Sequence, residues 1–124
     1  MALLVHDQEE TFRPLQQTLR NLGIRTQPVH SCWEAWTALR EPCSSRVILT
    51  ATTLADGTWA DVLDLASTRC NAIPVIVVSR FVDIGLYLKA LESGASDFIV
   101  SPISPSDLAY VVGTAVAKGR PASA

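Results

Sequence analysis

Residues 74–104, PVIVVSRFVDIGLYLKALESGASDFIVSPIS, limit most tightly what this chain can become. The longest apolar stretch of the chain, residues 73–78, reads as a strand buried on both faces, and strands of that kind belong to parallel sheets. A helix is expected over 83–92, with Ile84, Leu88 and Leu91 turned inward and Gly94 as its stop. A second strand over 97–100 and a Ser-Pro turn complete one strand–helix–strand crossover. This unit sets Ser79 and Ser101 at the carboxyl ends of two parallel strands, where open α/β sheets hold their ligands.

The remainder repeats the alternation. A strand over 3–5 precedes a helix over 9–22, where Phe12, Leu15, Leu19 and Leu22 recur at helical spacing and Gly23 is the stop. The second strand, 24–29, contains Pro28, which lacks a ladder donor and demands a sheet edge. Ser31 and Glu34 form a capping-box pattern that opens a short helix to about residue 39. A third strand over 46–50 leads into a loop carrying Asp56 and Gly57. Thr58-Trp-Ala-Asp61 then opens a third helix with Val62, Leu65 and Ala66 on one face. Ser104 caps the last helix, Pro105 takes its first position, and it runs to about residue 118. The domain therefore spans 1–118, and 119–124 reads as a tail or the start of a linker.

Five strands alternating with five helices make an α/β, flavodoxin-like doubly wound sandwich with a five-stranded parallel sheet. The strand order 2-1-3-4-5 satisfies the edge that Pro28 requires. Its topological switch lies between strands one and three, so the crevice is expected beside His6, Asp7 and Ala51.

Composition narrows the function. The 124 residues suit one domain, and 48 % hydrophobic content supplies a core. The net charge is −2 with no basic run, which excludes a nucleic-acid footprint. No stretch reaches the ~18 apolar residues of a membrane span, and Met1 leads straight into a strand rather than a signal peptide. Cys32, Cys43 and Cys70 are odd in number and lack C-x-x-C spacing, so they read as reduced apolar residues in a cytoplasmic protein. Neither a glycine-rich phosphate loop nor the Ser-His-Asp, H-E-x-x-H or G-x-S-x-G patterns of hydrolases occur. The first strand–helix turn, HDQEET, is acidic and repels phosphate, which argues against a flavin or nucleotide cofactor. The chain is expected not to be an enzyme.

LLVHDQEE, the loop LADGTWADVL and the segment ALESGASDFIVSPIS together resemble the receiver domain of bacterial two-component response regulators over residues 2–118. The resemblance implies an aspartate at the end of strand three that takes a phosphoryl group from a histidine kinase. It implies a Mg²⁺ ion held by that aspartate with two acidic residues after strand one. A hydroxyl after strand four and a lysine after strand five then bind the phosphoryl oxygens, and the hydroxyl pairs with an aromatic residue of strand five as a switch.

Carried over by position, the acidic pair falls on His6 and Asp7, the acceptor on Ala51, the hydroxyl on Ser79, the lysine on Ser101, and the switch ring on Phe98, followed by Pro102. Ala51 offers no nucleophile, and Asp7 alone is a weak anchor for an ion that wants several hard oxygens, so Mg²⁺ is not expected. The pocket reads as a degenerate, pseudo-receiver site. Asp7 is expected to cap the first helix and His6 to be a partly buried ring bonded to backbone. Asp56 is expected to serve a turn rather than act as a substitute acceptor, and Ser79 and Phe98 to sit as packing. Trp59 is expected to fold over the space beside Ala51, and one of Trp33 and Trp36 to be core.

The expected function is a phosphorelay-type signalling module that acts through protein contacts without phosphorylation. Its partner surface is formed by helix four, strand five and helix five, carrying Gly85, Tyr87, Lys89 and Tyr110. The partner is a protein or a fused output domain, with a homodimer through helices four and five as one form. The competing expectation is a working phosphorelay receiver with an atypical acceptor residue.

Overall fold

A computed structural model describes residues 1–39, 45–69 and 73–119. Its strands are β1 (Ala2–Val5), β2 (Thr26–Val29), β3 (Val47–Ala51), β4 (Thr53–Leu54), β5 (Gly57–Thr58), β6 (Val75–Ser79) and β7 (Asp97–Val100). Its helices are α1 (Glu9–Asn21), α2 (Cys32–Ala38), α3 (Trp59–Arg69), α4 (Ile84–Glu92) and α5 (Pro105–Gly119). Five strands form a parallel sheet in the order β2-β1-β3-β6-β7, the doubly wound order expected, with β6 and β7 as the fourth and fifth strands. Pro28 lies on the edge strand β2 opposite Leu4, where its missing N–H breaks no ladder. One loop is more ordered than its sequence suggests: β4 and β5 pair as a short antiparallel hairpin around Asp56.

Strand alternation decides which helices cover which face. Leu4, Leu49, Ala51, Ile76 and Val78 pack against Phe12, Leu15 and Leu19 of α1 and Leu108, Val112 and Ala115 of α5. Leu3, Val5, Ile48 and Val75 point the other way, onto Ala35 of α2 and Val62 and Ala66 of α3. Val77 and Phe98 close that second face with Trp59 and with Ala90 of α4.

The helix ends follow their sequence signals. Ser31 accepts the Glu34 N–H at 3.0 Å, and Ser104 accepts the Asp107 N–H at 3.1 Å ahead of Pro105. Asp61 accepts the Thr58 N–H at 2.9 Å at the start of α3. Gly23 and Gly94 end α1 and α4 at φ of +81° and +111°, a region that a Cβ disfavours.

Two expectations of burial fail. Leu22 lies past the last turn of α1 and is exposed, because Gly23 turns the chain away before it can reach the core. Ile84 is 72 % and Leu88 52 % exposed, whereas the same helix buries Ala90 and half-buries Leu86. The segment IGLYLKAL is apolar on two faces, so its pattern leaves the phase of α4 open. The small Ala90 lets the helix lie close to β7, and that choice turns Ile84 and Leu88 outward. Cys43, Cys70 and the tail from residue 120 lie outside the described residues.

Candidate functional site

The carboxyl ends of β1, β3, β6 and β7 bring His6, Asp7, Ala51, Ser79 and Ser101 to one end of the sheet. Val5 pairs with Thr50, so one step on sets His6 abreast of Ala51; Ala51 in turn pairs with Val78. Ser79 pairs with Val100, and the Ser101 N–H donates to the Ser79 carbonyl at 2.8 Å. The row expected from the sequence is therefore assembled.

Its side chains behave differently from expectation at the first strand. His6 is only 4 % exposed, and its ring stacks on Phe12 at 4.4 Å between centroids, with His30 edge-on at 5.5 Å. The ring Nδ1 is buried without a hydrogen-bond partner, while the backbone N–H of His6 donates to Val29. The side chain thus packs rather than bonds to backbone, because Phe12 of the first turn of α1 offers it a flat apolar face. Burial, reinforced by the nearby His30 ring, pushes the His6 pKa below its usual value; Asp7 and Glu9 oppose this more weakly. Asp7 is exposed and does not cap α1. The helix begins two residues later at Glu9, with Gln8 in the cap position and no side-chain cap bond.

Ala51 is buried and presents a methyl group, and the Thr50 hydroxyl beside it donates to the Ala51 carbonyl at 3.0 Å. The Ser79 hydroxyl donates to the Phe81 carbonyl at 2.7 Å and accepts the Phe81 N–H at 3.1 Å. Both of its hydrogen-bonding roles are therefore taken by its own loop. The peptide joining Ser101 to the exposed Pro102 is cis. Phe98 is buried and meets Tyr87 edge-on at 5.8 Å.

Trp59 is buried, but it does not fold over Ala51. It packs with Val77 and Phe98 on the α2–α4 face, whereas Ala51 belongs to the α1–α5 face. The cause is the hairpin of β4 and β5, which returns the chain so that the Trp59 N–H donates to the Thr52 carbonyl and α3 starts on that side. Trp36 lies under the Arg69 guanidinium at 4.0 Å, and Trp33 stays 68 % exposed.

Asp56 is a turn residue with a second role that the Asp-Gly pattern did not announce. Its carboxylate accepts the N–H groups of Cys32 and Trp33 at 2.8 and 3.1 Å, supplementing Ser31 at the start of α2. Those two donors hold its pKa below the usual carboxylate value. The neighbouring Cys32 thiol is pushed up to about 11 by burial and by the charges of Asp56 and Asp61.

The donors at the strand ends do not fit a magnesium ion. They supply one carboxylate, from Asp7, beside a buried imidazole and a methyl group, and a hard divalent cation needs several oxygens. Among the described residues no three His, Cys, Asp or Glu side chains gather within reach of a metal ion.

Beside β7, the loop before α4 exposes Phe81 and Val82, and α4 itself exposes Ile84 and Leu88 next to Gly85, Tyr87 and Lys89. Tyr110 is 75 % exposed on α5. Ile84 and Leu88 are missing from the expected partner surface because their helical spacing reads equally well as core, and Phe81 and Val82 because they fall in a loop that shows no periodicity. Among the described residues no helix is long and apolar enough to cross a membrane.

No protein family model matches the chain. The response regulator PilR of Pseudomonas aeruginosa is 29 % identical over 121 residues, covering 97 % of this chain and 27 % of PilR. The chemotaxis protein CheY1 of Helicobacter pylori J99 is 28 % identical over 113 residues, covering 87 % of this chain and 90 % of CheY1. The beryllofluoride-activated NtrC4 receiver domain, solved as a dimer, superposes with a TM-score of 0.85 at 21 % identity, covering 96 % of this chain and 98 % of that one. The non-phosphorylated HemR receiver domain of Leptospira biflexa superposes with a TM-score of 0.80 at 22 % identity, covering 97 % and 96 %. The chain has the receiver-domain fold of response regulators. The chain spans about a quarter of PilR and less of the plant relatives, such as the response regulator-like PRR37 of rice at 15 %. Its relatives thus come from plants as well as bacteria, so the likeness does not restrict the chain to a bacterial source.

Proposed function

We propose that this receiver domain signals through protein contacts without accepting a phosphoryl group. The observation that carries the reading is Ala51 at the end of β3: a methyl group stands where the fold's chemistry needs a nucleophilic carboxylate. Three further features support it. The Ser79 hydroxyl is engaged by Phe81, His6 is a buried neutral ring, and Ser101 brings no positive charge to the end of β7. Among the strand-end residues His6, Asp7, Ala51, Ser79 and Ser101, none brings a fixed positive charge and one carboxylate is a weak metal anchor, so a transferring phosphoryl group would find little to stabilise its charge.

The working surface is the flank of α4, β7 and α5, where Phe81, Val82, Ile84 and Leu88 are exposed close together in the chain with Tyr87 and Lys89, and Tyr110 is exposed on α5. Water-exposed apolar side chains grouped in this way mark interaction sites. The partner is another protein, a second copy of the chain or a fused output domain, in keeping with PilR being much longer than this domain and with NtrC4 being a dimer. The setting is the cytoplasm.

Incubation with acetyl phosphate and Mg²⁺, followed by intact-mass measurement, tests the proposal. The expected mass is unchanged. A stable gain of one phosphoryl group would overturn it in favour of an atypical acceptor.

A further inference from the structure

The amino-terminal end of the sheet, opposite the crevice, holds a second feature. From Leu108 to Ala117 the sequence of α5 is LAYVVGTAVA, ten residues without a charge. A helix apolar all round is normally buried all round, yet Tyr110, Gly113 and Ala117 face solvent. The exposed edge of α5 forms the floor of an open groove whose other wall is Leu22 and Ile24, where α1 ends and the chain turns into β2. The failed burial of Leu22 thus creates this wall. Ile24 also lines the adjoining depressions that contain Arg20, Arg25 and Arg46, so the apolar floor runs directly into a basic rim. All three arginines are exposed. The ion pairs among the described residues are Arg13–Glu9 and His30–Glu34, so none of the three is neutralised there. In a chain of net charge −2, this end is locally positive.

We propose that this groove is a docking site for an amphipathic helix of a partner protein, with an apolar stripe against α5 and acidic side chains toward Arg20, Arg25 and Arg46. From Ala109 to Ala117 the floor is about 12 Å long, which matches roughly two turns of a docked helix. Small side chains at Ala109, Gly113 and Ala117 allow a helix backbone to approach closely, and the guanidiniums, without an ion pair among the described residues, select its charge. The site shares Tyr110 with the α4–α5 flank but otherwise lies on different residues, and it does not depend on whether the crevice is phosphorylated.

Two designed helical peptides with the same leucine–alanine stripe, one otherwise glutamate-rich and its twin lysine-rich, test this by amide chemical-shift titration of the labelled chain. The glutamate peptide is expected to bind about tenfold or more tightly than its twin, with shifts gathered at Leu22, Ile24 and the outer edge of α5. Its affinity falls as salt rises. The Arg20→Glu, Arg25→Glu double variant loses about tenfold. A Cβ added at Gly113 meets nothing within 4 Å, and Gly113→Trp, with its fold checked by melting temperature, is expected to fill the groove and abolish binding. Equal affinity for the two peptides, no binding by either, or shifts centred on α4 would overturn the proposal. Self-association that Gly113→Trp removes would also overturn it, by assigning the groove to a second copy.

Discussion

The carboxylate of Asp56, in the turn between β4 and β5, receives the backbone N–H of Cys32 at 2.8 Å, across 24 residues of sequence. It receives Trp33 at 3.1 Å as well. A carboxylate at a helix amino terminus satisfies donors that the helix leaves open and complements its dipole. The hairpin after β3 is thereby tied to α2, a helix of only seven residues that would not hold by itself.

Replacing Asp56 by alanine should free those two amides. Hydrogen exchange at Cys32 and Trp33 is expected to accelerate and the melting temperature to fall, whereas Asp56→Asn, which keeps an acceptor oxygen, should lose less. The Asp56 pKa is lowered on folding, so its contribution is present above the unfolded value of 3.8 and is lost as pH falls through the lower folded value. Unchanged exchange at both amides in Asp56→Ala would refute the tie.

His6 predicts a different pH dependence. Its pKa is lowered from 6.5 in the folded chain, so the unfolded chain binds the proton more readily. Stability should be unaffected by this group above pH 6.5 and decline below it, with a slope of at most about 1.4 kcal/mol per pH unit for one proton. His6→Phe keeps the stack on Phe12 and should flatten the curve below pH 6.5. Thermal unfolding across that range checks this, and equal slopes in the two proteins would rule it out.

Ala51→Asp places a carboxylate beside the buried, neutral His6. With no cation to pair it, the change should cost about 1–3 kcal/mol. It should also raise the His6 pKa, since a negative charge one step across the sheet favours the imidazolium. Histidine ring shifts followed by NMR give the direction; an unmoved or lowered His6 titration would contradict the register reading.

On α4, Ile84→Lys with Leu88→Lys should leave the fold intact, because surface substitutions of this kind usually change stability by less than about 0.5 kcal/mol. The same pair should abolish partner capture or dimer formation through that flank, read by sedimentation and pull-down against full-length relatives. A large drop in melting temperature would instead return these side chains to the core.

Glycines give a contrast within one protein. Gly113→Ala should stabilise α5 by about 1 kcal/mol, since the helix gains propensity and the added methyl enters open space. Gly57→Ala should destabilise, because its Cβ would come within 2.6 Å of the Asp61 carboxylate that starts α3 and 2.8 Å of the Cys32 sulfur. Chemical denaturation measures both, and the same sign for the two would contradict the geometry.

The sequence by itself determined the sheet and its order. Apolar runs in β1, β3 and β6 can only be central, Pro28 can only be an edge, and Ser31, Ser104, Gly23 and Gly94 mark helix ends through hydrogen bonds and φ angles that are local in the chain. It also determined which residues meet at the strand ends, because parallel registry carries His6, Ala51, Ser79 and Ser101 to one rim. Only the tertiary structure decided where non-local choices fall. The phase of α4 depends on Ala90 meeting β7, and the side taken by Trp59 depends on the β4–β5 hairpin. The His6 stack depends on Phe12, and the second cap of α2 comes from Asp56 across the loop. Each is a contact between segments whose patterns allow more than one answer, and packing selects among them by burying the face that fits its neighbour most closely.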